Sequence, residues 1–192
     1  MSVSESPPPK RRRRADAERN RRRLLEVARV AFASGEATVS LEHIARDAGV
    51  GIGTLYRHFP TREALVEALY RQELDELCAS AAELLETLTP ELALRAWMDH
   101  FRGYVIAKRE MAETLRAVFA SGAFTVPGIR EELSTAVQQI LEAGAADRSL
   151  RADVYAQDVV ASVVGMCTAT SLAGGHEQLE RMLDLLVDAV RA

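Results

Sequence analysis

The sequence predicts an all-α protein of about nine helices, and three observations lead to this prediction. Leu, Ala, Val, Glu and Arg dominate the composition, aromatic residues make up only 5% of it, and β-branched runs are nearly absent. Apolar residues recur with the helical period along most of the chain. Gly and Pro separate these stretches, and no stretch reads convincingly as a strand.

The predicted helices are bounded by capping residues or by Gly and Pro. They are the segments Asp16–Ala33, Ser40–Ala48, Ile52–Phe59, Thr61–Leu88, Glu91–Ala107, Arg109–Ser121, Gly128–Ala145, Asp153–Ala173 and Glu177–Arg191. Ser40 is a suitable N-cap, Gly49 ends the second helix, and Pro60 ends the third. Gly144 is interpreted as the signal that ends the seventh helix.

Charge is divided unevenly along the chain. Residues 1–60 contain twelve basic and seven acidic residues, whereas the whole 192-residue chain has a net charge of −4. The first segment therefore has a net charge of +5 and the remainder a net charge of −9. A basic segment on an acidic body presents only one face of the molecule to phosphate.

The N-terminus carries three consecutive prolines followed directly by a run of five basic residues. Because proline cannot continue a helix, residues 1–14 are predicted to form a disordered basic arm. Such a run is often only a solvated tail, but beside a DNA-binding unit it can reach a phosphate or the minor groove. The candidate contacts in it are Arg12, Arg13 and Arg14. The folded part is expected to divide into a small domain at 15–62 and a larger one at 63–192.

A helix-turn-helix is predicted from the second and third helices. This motif needs a small residue inside its first helix, a residue that tolerates positive φ in the turn, and an apolar anchor on its second helix. Ala45, Gly49 and Leu55 supply these features in that order. With Leu55 facing inward, the helical period turns other side chains of its helix outward, toward a DNA groove. Phe59 is expected to be a core residue as well.

The run from Ser40 to Leu65, SLEHIARDAGVGIGTLYRHFPTREAL, resembles the signature of the TetR family of transcriptional regulators. Within it, GTLYRHF is close to the sequence that the family usually has in its recognition helix. Arg62 stands where the family most often has Lys, and this keeps the positive charge. The resemblance implies a DNA-binding regulator, most commonly a repressor, that binds a pseudo-palindromic double-stranded operator as a homodimer. It also implies release by a small-molecule effector.

The resemblance implies DNA contacts on the recognition helix and at its flanks. The candidates are Ser40, Gly51, Ile52, Gly53, Thr54, Tyr56, Arg57, His58 and Arg62. Tyr56 and His58 would contact phosphates or base edges, and the residues at the flanks would hold the DNA backbone. For Arg57 two alternatives stay open, since its side chain could point along the DNA or pair within the protein.

The larger domain is expected to hold an effector pocket, because bulky and adaptable side chains concentrate there beside polar neighbours. The candidate pocket residues are Trp97, His100, Phe101, Tyr104, Met111, Phe119 and Met166. Each of the last two helices also has an apolar stripe, and the resemblance implies that these helices form the dimer. The candidate interface residues are Val160, Val164, Leu179, Leu183, Leu186 and Val190. The alternative is that both stripes pack only within one chain.

No catalytic set, metal-ligand cluster or cofactor motif stands out, so no enzyme, metal or cofactor is expected. Cys78 and Cys167 lack close pairing and are expected to be reduced thiols. No stretch approaches the roughly 18 apolar residues of a membrane span, and a cytoplasmic protein is expected. The rival interpretation is a helical protein-interaction module or ligand carrier that keeps the fold without binding an operator.

Overall fold

A computed structural model of the chain describes residues 10–33, 39–110, 112–122, 125–171 and 175–192. In these ranges nine helices follow one another. They are α1 (Lys10–Ala33), α2 (Leu41–Asp47), α3 (Ile52–His58), α4 (Arg62–Leu85), α5 (Pro90–Glu110), α6 (Ala112–Ala120), α7 (Val126–Asp147), α8 (Ala156–Ser171) and α9 (His176–Val190). The described residues form no strand, only an isolated bridge between Leu150 and Arg191. The all-α prediction is confirmed.

Helix α1 begins six residues earlier than the sequence pattern indicates. It starts at Lys10 instead of Asp16, so residues 10–14, assigned above to a disordered arm, are helical and that part of the prediction is wrong. The physical reason is that Lys, Arg and Ala are strong helix formers, and an ion pair between Arg19 and Asp16 lies on the same helix. Residues 1–9 lie outside the described part of the chain.

The first three helices form a small core around α1. Leu24 and Leu25 of α1, Ile44 of α2 and Leu55 of α3 are almost completely buried. Ser40 caps α2, because its Oγ accepts a hydrogen bond from the backbone N–H of His43 at 3.4 Å. These contacts hold α2 and α3 at a fixed angle to each other.

Gly49 makes the turn between α2 and α3. Its φ is +65°, which is the left-handed region that glycine enters without steric cost. A Cβ at this position would lie 3.5 Å from the Arg23 guanidinium of α1, so space is not the constraint. The turn predicted from the sequence is confirmed, and it depends on backbone conformation.

Helix α4 connects the helix-turn-helix with the larger domain. Thr61 caps it by accepting a hydrogen bond from the backbone N–H of Ala64 at 3.1 Å. From there, buried residues continue along the helix to Ala81. It packs against α1 at one end and against α5, α6 and α7 further along. One rigid element therefore runs from the small domain into the core of the larger one.

Helix α7 does not stop at Gly144 as the sequence analysis expects. It continues to Asp147, and Arg148 ends it with a left-handed φ of 66°. Gly144 is buried, and a Cβ there would lie 2.5 Å from the side chain of Leu150. The glycine is present because the chain folds back closely against it, so it is a packing residue instead of a helix terminator.

Ion pairs fasten α9 to α5. The guanidinium of Arg95, whose side chain is 19% exposed, pairs with Asp99, Glu180 and Asp184. Burial alone would lower the pKa of Arg95, but its carboxylate partners outweigh this effect and raise it. Arg102 adds a 3.0 Å ion pair to Glu180. In the described part of the chain, no helix is long and apolar enough to cross a membrane.

Candidate DNA-binding surface and ligand cavity

Helix α3 presents an exposed face that its own buried anchors hold in place. Leu55 is completely buried and Phe59 is 2% exposed, which confirms that both are core residues. On the opposite face, Ile52 is 38% and Tyr56 is 44% exposed. Because Ile52 and Tyr56 are four residues apart on one helix, they lie side by side, and this exposed pair makes the face a candidate interface.

The polar residues of α3 are partly engaged within the helix. The Arg57 guanidinium donates a hydrogen bond to Thr54 Oγ1 at 2.9 Å, so pairing within the protein is the alternative realised in this structure. Thr54 and His58 are half-buried, and the ring of His58 lies 6.2 Å from that of Phe59. Tyr56 is thus more exposed than the Thr54 and His58 side chains on either side of it.

Arg62 and Ser40, both expected to hold DNA at the flanks, have partners inside the protein. The Arg62 guanidinium donates to the backbone carbonyl of Val39 and stacks 5.0 Å above the ring of Phe32. The hydroxyl of Ser40 caps α2 and donates to Glu42 at 2.6 Å. Arg62 therefore ties the start of α4 to the segment that precedes α2.

Basic residues of α1 lie beside the helix-turn-helix. Arg21 stacks 5.5 Å from the ring of Phe59, and Arg23 reaches the turn at Gly49. The sequence analysis missed both, although they lie on a helix that it did predict. Arg14 is exposed on the same helix. The side chains of Arg12 and Arg13 lie outside the described residues.

A cavity of about 360 Å³ lies between α5, α6, α7 and α8. Of the candidate pocket residues, Phe101, Tyr104 and Phe119 line it. The sequence analysis missed Lys108 and Arg130, the two cationic residues in its lining. Lys108 follows Phe101 by seven residues, so a cation on the apolar face of α5 was the available signal.

The other candidate pocket residues lie elsewhere. Trp97 is completely buried, and its Nε1 donates to the Leu77 carbonyl at 3.1 Å, so its assignment to the pocket is wrong. It satisfies its indole N–H inside the core. His100 lines a separate cleft between α1, α4 and α5. Met166 packs against the core without lining the cavity, and Met111 lies outside the described residues.

Most candidate dimer residues are buried within the single chain. Four of them are at most 6% exposed, and their assignment to a dimer interface is therefore wrong: Val160, Leu179, Leu183 and Val190. The stripe of α9 packs into its own domain, against α5 and α8. Val164 is 39% exposed and Leu186 is half-buried. Leu185, which the sequence analysis omitted, is 66% exposed on α9.

Two family models match the chain. Residues 24–69 match the model described as bacterial regulatory proteins, tetR family, and residues 89–192 match that of the SbtR-like C-terminal domain of transcriptional regulators. The chain therefore belongs to the TetR family of transcriptional regulators. Because this family consists of regulators, the expectation that the chain is not an enzyme is confirmed.

Solved structures agree over nearly the whole chain. A TetR transcriptional regulator from Streptomyces coelicolor is 43% identical with a TM-score of 0.78, covering 89% of this chain and 98% of its own. A TetR regulatory protein from Mycobacterium vanbaalenii is 32% identical with a TM-score of 0.74, covering 93% and 99%. An HTH-type transcriptional regulator of Staphylococcus aureus is 40% identical over 61 residues. That match covers 31% of this chain and only 33% of the relative.

Proposed function

We propose that this protein is a ligand-responsive transcriptional repressor that binds a pseudo-palindromic, double-stranded operator as a homodimer. The observation that carries the proposal is the exposed face of α3, where Ile52 and Tyr56 project outward while Leu55 is buried beneath them. A short helix anchored in this way can lie in the major groove of DNA.

The surroundings of α3 suit a DNA backbone. No other atom lies within 4 Å of the Cβ that Gly51 or Gly53 would carry, so both glycines face open space. DNA can therefore approach the protein backbone closely at these two positions. The exposed guanidinium of Arg57 supplies positive charge on the same helix. Tyr56 and His58 are proposed to carry the contacts to phosphates or base edges.

The proposed dimer uses the exposed face of α8 and α9 in place of the buried stripes. Val164 and Leu185 are exposed there, and Ala161 and Gly165 add small exposed residues to α8. Small residues let helices approach closely, so two copies can form a four-helix bundle around a two-fold axis. A two-fold dimer would present two α3 helices to two half-sites.

Effector control is proposed to act through α4. Lys108, which lines the cavity, donates a hydrogen bond to Tyr70 of α4 at 3.1 Å. The same helix begins beside α3, at Arg62. A ligand can shift the spacing of the two α3 helices only by binding one conformation better than the other, typically by about 1–3 kcal/mol.

The proposal is tested with a duplex obtained by selection from random sequence. Tyr56→Ala combined with His58→Ala should weaken binding at least about tenfold in fluorescence anisotropy, because each lost contact costs about 1–3 kcal/mol. Tyr155→Ala is the matched control, since Tyr155 is 67% exposed and lies in the other domain. Unchanged affinity in a folded double variant would contradict the proposed role of α3.

A further inference from the structure

The cavity between α5 and α8 contains a cation among aromatic rings. Lys108 is half-buried, and its Nζ lies 5.0 Å from the ring centroid of Tyr70, 4.9 Å from that of Tyr104 and 6.0 Å from that of Phe119. Burial lowers the pKa of this ammonium group below its usual value. Such a position is costly for a charge that serves only the fold.

Lys108 has no carboxylate partner in the part of the chain that the structure describes. Its one hydrogen bond there goes to the Tyr70 hydroxyl at 3.1 Å, although an ammonium group has three donors. Arg71 and Arg95 of the same domain differ in this respect, since both pair with carboxylates. An anionic occupant of the cavity would supply the counter-charge that Lys108 lacks among the described residues.

Tyr104 provides a hydroxyl group in the same lining. The residue is 6% exposed, and its hydroxyl faces that of Tyr70 and has no other hydrogen-bond partner among the described residues. Burial raises the pKa of Tyr104, so the hydroxyl keeps its proton and can donate to an anion. A carboxylate is a stronger acceptor than the Tyr70 hydroxyl, so a bound acid can take over the hydrogen bond that Tyr104 donates.

Apart from Arg130, the remaining lining is mostly apolar, so it favours a ligand with an apolar body. Phe101, Phe119, Leu133 and Val160 contribute rings and branched side chains from four helices. The cavity volume of about 360 Å³ lies at the lower end of the range for small-molecule sites. A compact ring system or a medium-length alkyl chain has the appropriate size and polarity.

We propose that the ligand of this cavity is a small apolar carboxylic acid, whose carboxylate accepts hydrogen bonds from Lys108 Nζ and Tyr104 Oη. The assignment rests on the proposed function only in treating this ligand as the effector. Binding of the acid at this site is a separate claim. Both contacts are charge-assisted, which makes them stronger than those to a neutral isostere.

The second cleft of the molecule has the opposite character. The cleft between α1, α4 and α5 is lined by the carboxylates of Glu73, Glu76 and Glu83 and by one guanidinium, that of Arg29, which already pairs with Glu26. One carboxylate oxygen of Glu73 is buried without a hydrogen-bond partner in the described residues, and burial raises the pKa of this residue. An organic anion is repelled there, so the electrostatics of the described residues direct it to Lys108.

The test compares three probes of similar shape by isothermal titration calorimetry near neutral pH. They are 2-naphthoate, its neutral amide 2-naphthamide, and the cation 2-naphthylmethylammonium. We expect 2-naphthoate to bind at least about tenfold more tightly than the amide, and the ammonium compound to bind most weakly. Equal or tighter binding of the amide, or no binding of 2-naphthoate at millimolar concentration, would overturn the proposal.

Variants of Lys108 test whether this residue causes the preference for the acid over the amide. Lys108→Met removes the charge at similar length and should bring the acid and the amide within about threefold of each other, while Lys108→Arg should keep the preference. Arg116→Met is the matched control, because Arg116 is an exposed cation of α6 outside the cavity lining. If Lys108→Met does not fold, Lys108→Gln serves as the neutral variant. Full preference for the acid in a folded neutral variant contradicts the assignment.

These titrations contain no DNA, so their outcome is independent of operator binding. A protein that selects 2-naphthoate but binds no duplex keeps the ligand assignment and loses the proposed function. A protein that binds an operator but does not distinguish the acid from the amide keeps the proposed function and loses the ligand assignment.

Discussion

The two candidate sites lie in different domains and are built in different ways. The α3 surface is convex and exposed, and its residues are contiguous in the chain. The cavity is concave, and its lining comes from four helices, between Phe101 and Thr168. A surface made by one helix therefore depends on a few buried residues beneath it, whereas a cavity depends on the packing of a whole domain.

The largest expected effect comes from a variant that disrupts the α3 surface and leaves the cavity intact. Leu55→Ala removes the completely buried anchor of α3 and should cost about 2–5 kcal/mol of stability in the small domain. Operator binding, measured by fluorescence anisotropy, should be lost. The affinity for 2-naphthoate should stay within about twofold, since the cavity lies in the larger domain. Loss of both activities together would show that the sites are not built independently.

The converse variant is Gly144→Ala, which should destabilise the larger domain by about 1–3 kcal/mol in thermal unfolding. The physical reason is that the new Cβ would lie 2.5 Å from Leu150. Gly103→Ala is the control, because Gly103 also lies inside a helix but has no atom within 4 Å of its Cβ position. That control should be neutral or stabilising by up to about 1 kcal/mol. Equal melting temperatures for the two variants would contradict the packing role of Gly144.

Replacing Arg62 tests whether its guanidinium stabilises the small domain or contacts DNA. Arg62→Met should lower stability by about 1–2 kcal/mol, since it removes the hydrogen bond to Val39 and the stack on Phe32. The salt dependence of operator binding should keep its slope, because the guanidinium is used within the protein. A slope that falls by about 0.9 log unit per log unit of salt would instead place Arg62 on a phosphate.

The smallest expected effect concerns the stability that the protein loses by burying the ammonium group of Lys108. Lys108→Met should raise the melting temperature by about 1–3 °C at neutral pH, because it removes an ammonium group that burial disfavours. The pKa of Lys108 in the folded chain lies below its ordinary value of 10.5. Between these two pKa values the unfolded chain binds more protons, so wild-type stability rises with pH relative to the variant.

The difference in melting temperature between wild type and Lys108→Met should therefore shrink from pH 7 toward pH 10. A difference that stays constant over this range would mean that burial does not destabilise the charged form of Lys108. Lys108→Arg is the matched control, since arginine keeps its charge throughout this pH range. The difference in melting temperature between Lys108→Arg and Lys108→Met should therefore stay constant.

Predictability from sequence follows the same division between the two sites. The positions of Leu55 and Gly49 could be predicted because helical period and a positive φ are properties of a short segment. The stripe on α9 was also recognised, but period alone cannot tell a dimer partner from the neighbouring helix. Leu183 therefore proved to be core, while Leu185 is exposed.

The cavity was the least predictable feature, because tertiary contacts decide which large side chains fill the core and which line a space. Trp97 is completely buried with its N–H satisfied by Leu77, whereas Phe101, one turn further along α5, reaches the cavity. Lys108 was missed because a single lysine on a helix is ordinarily interpreted as a surface residue. Its role depends on the aromatic rings around it and on the lack of a carboxylate partner among the described residues.

Operator recognition by α3 is tested most directly by selecting bound duplexes from a random library with the purified protein. We expect one enriched inverted repeat, whose half-sites are spaced so that two α3 helices about 34–36 Å apart enter successive major grooves. We also expect this enrichment to disappear when Tyr56 and His58 are both replaced by Ala. Enrichment of no motif, or the same motif for the double variant, would contradict the claim that α3 reads DNA.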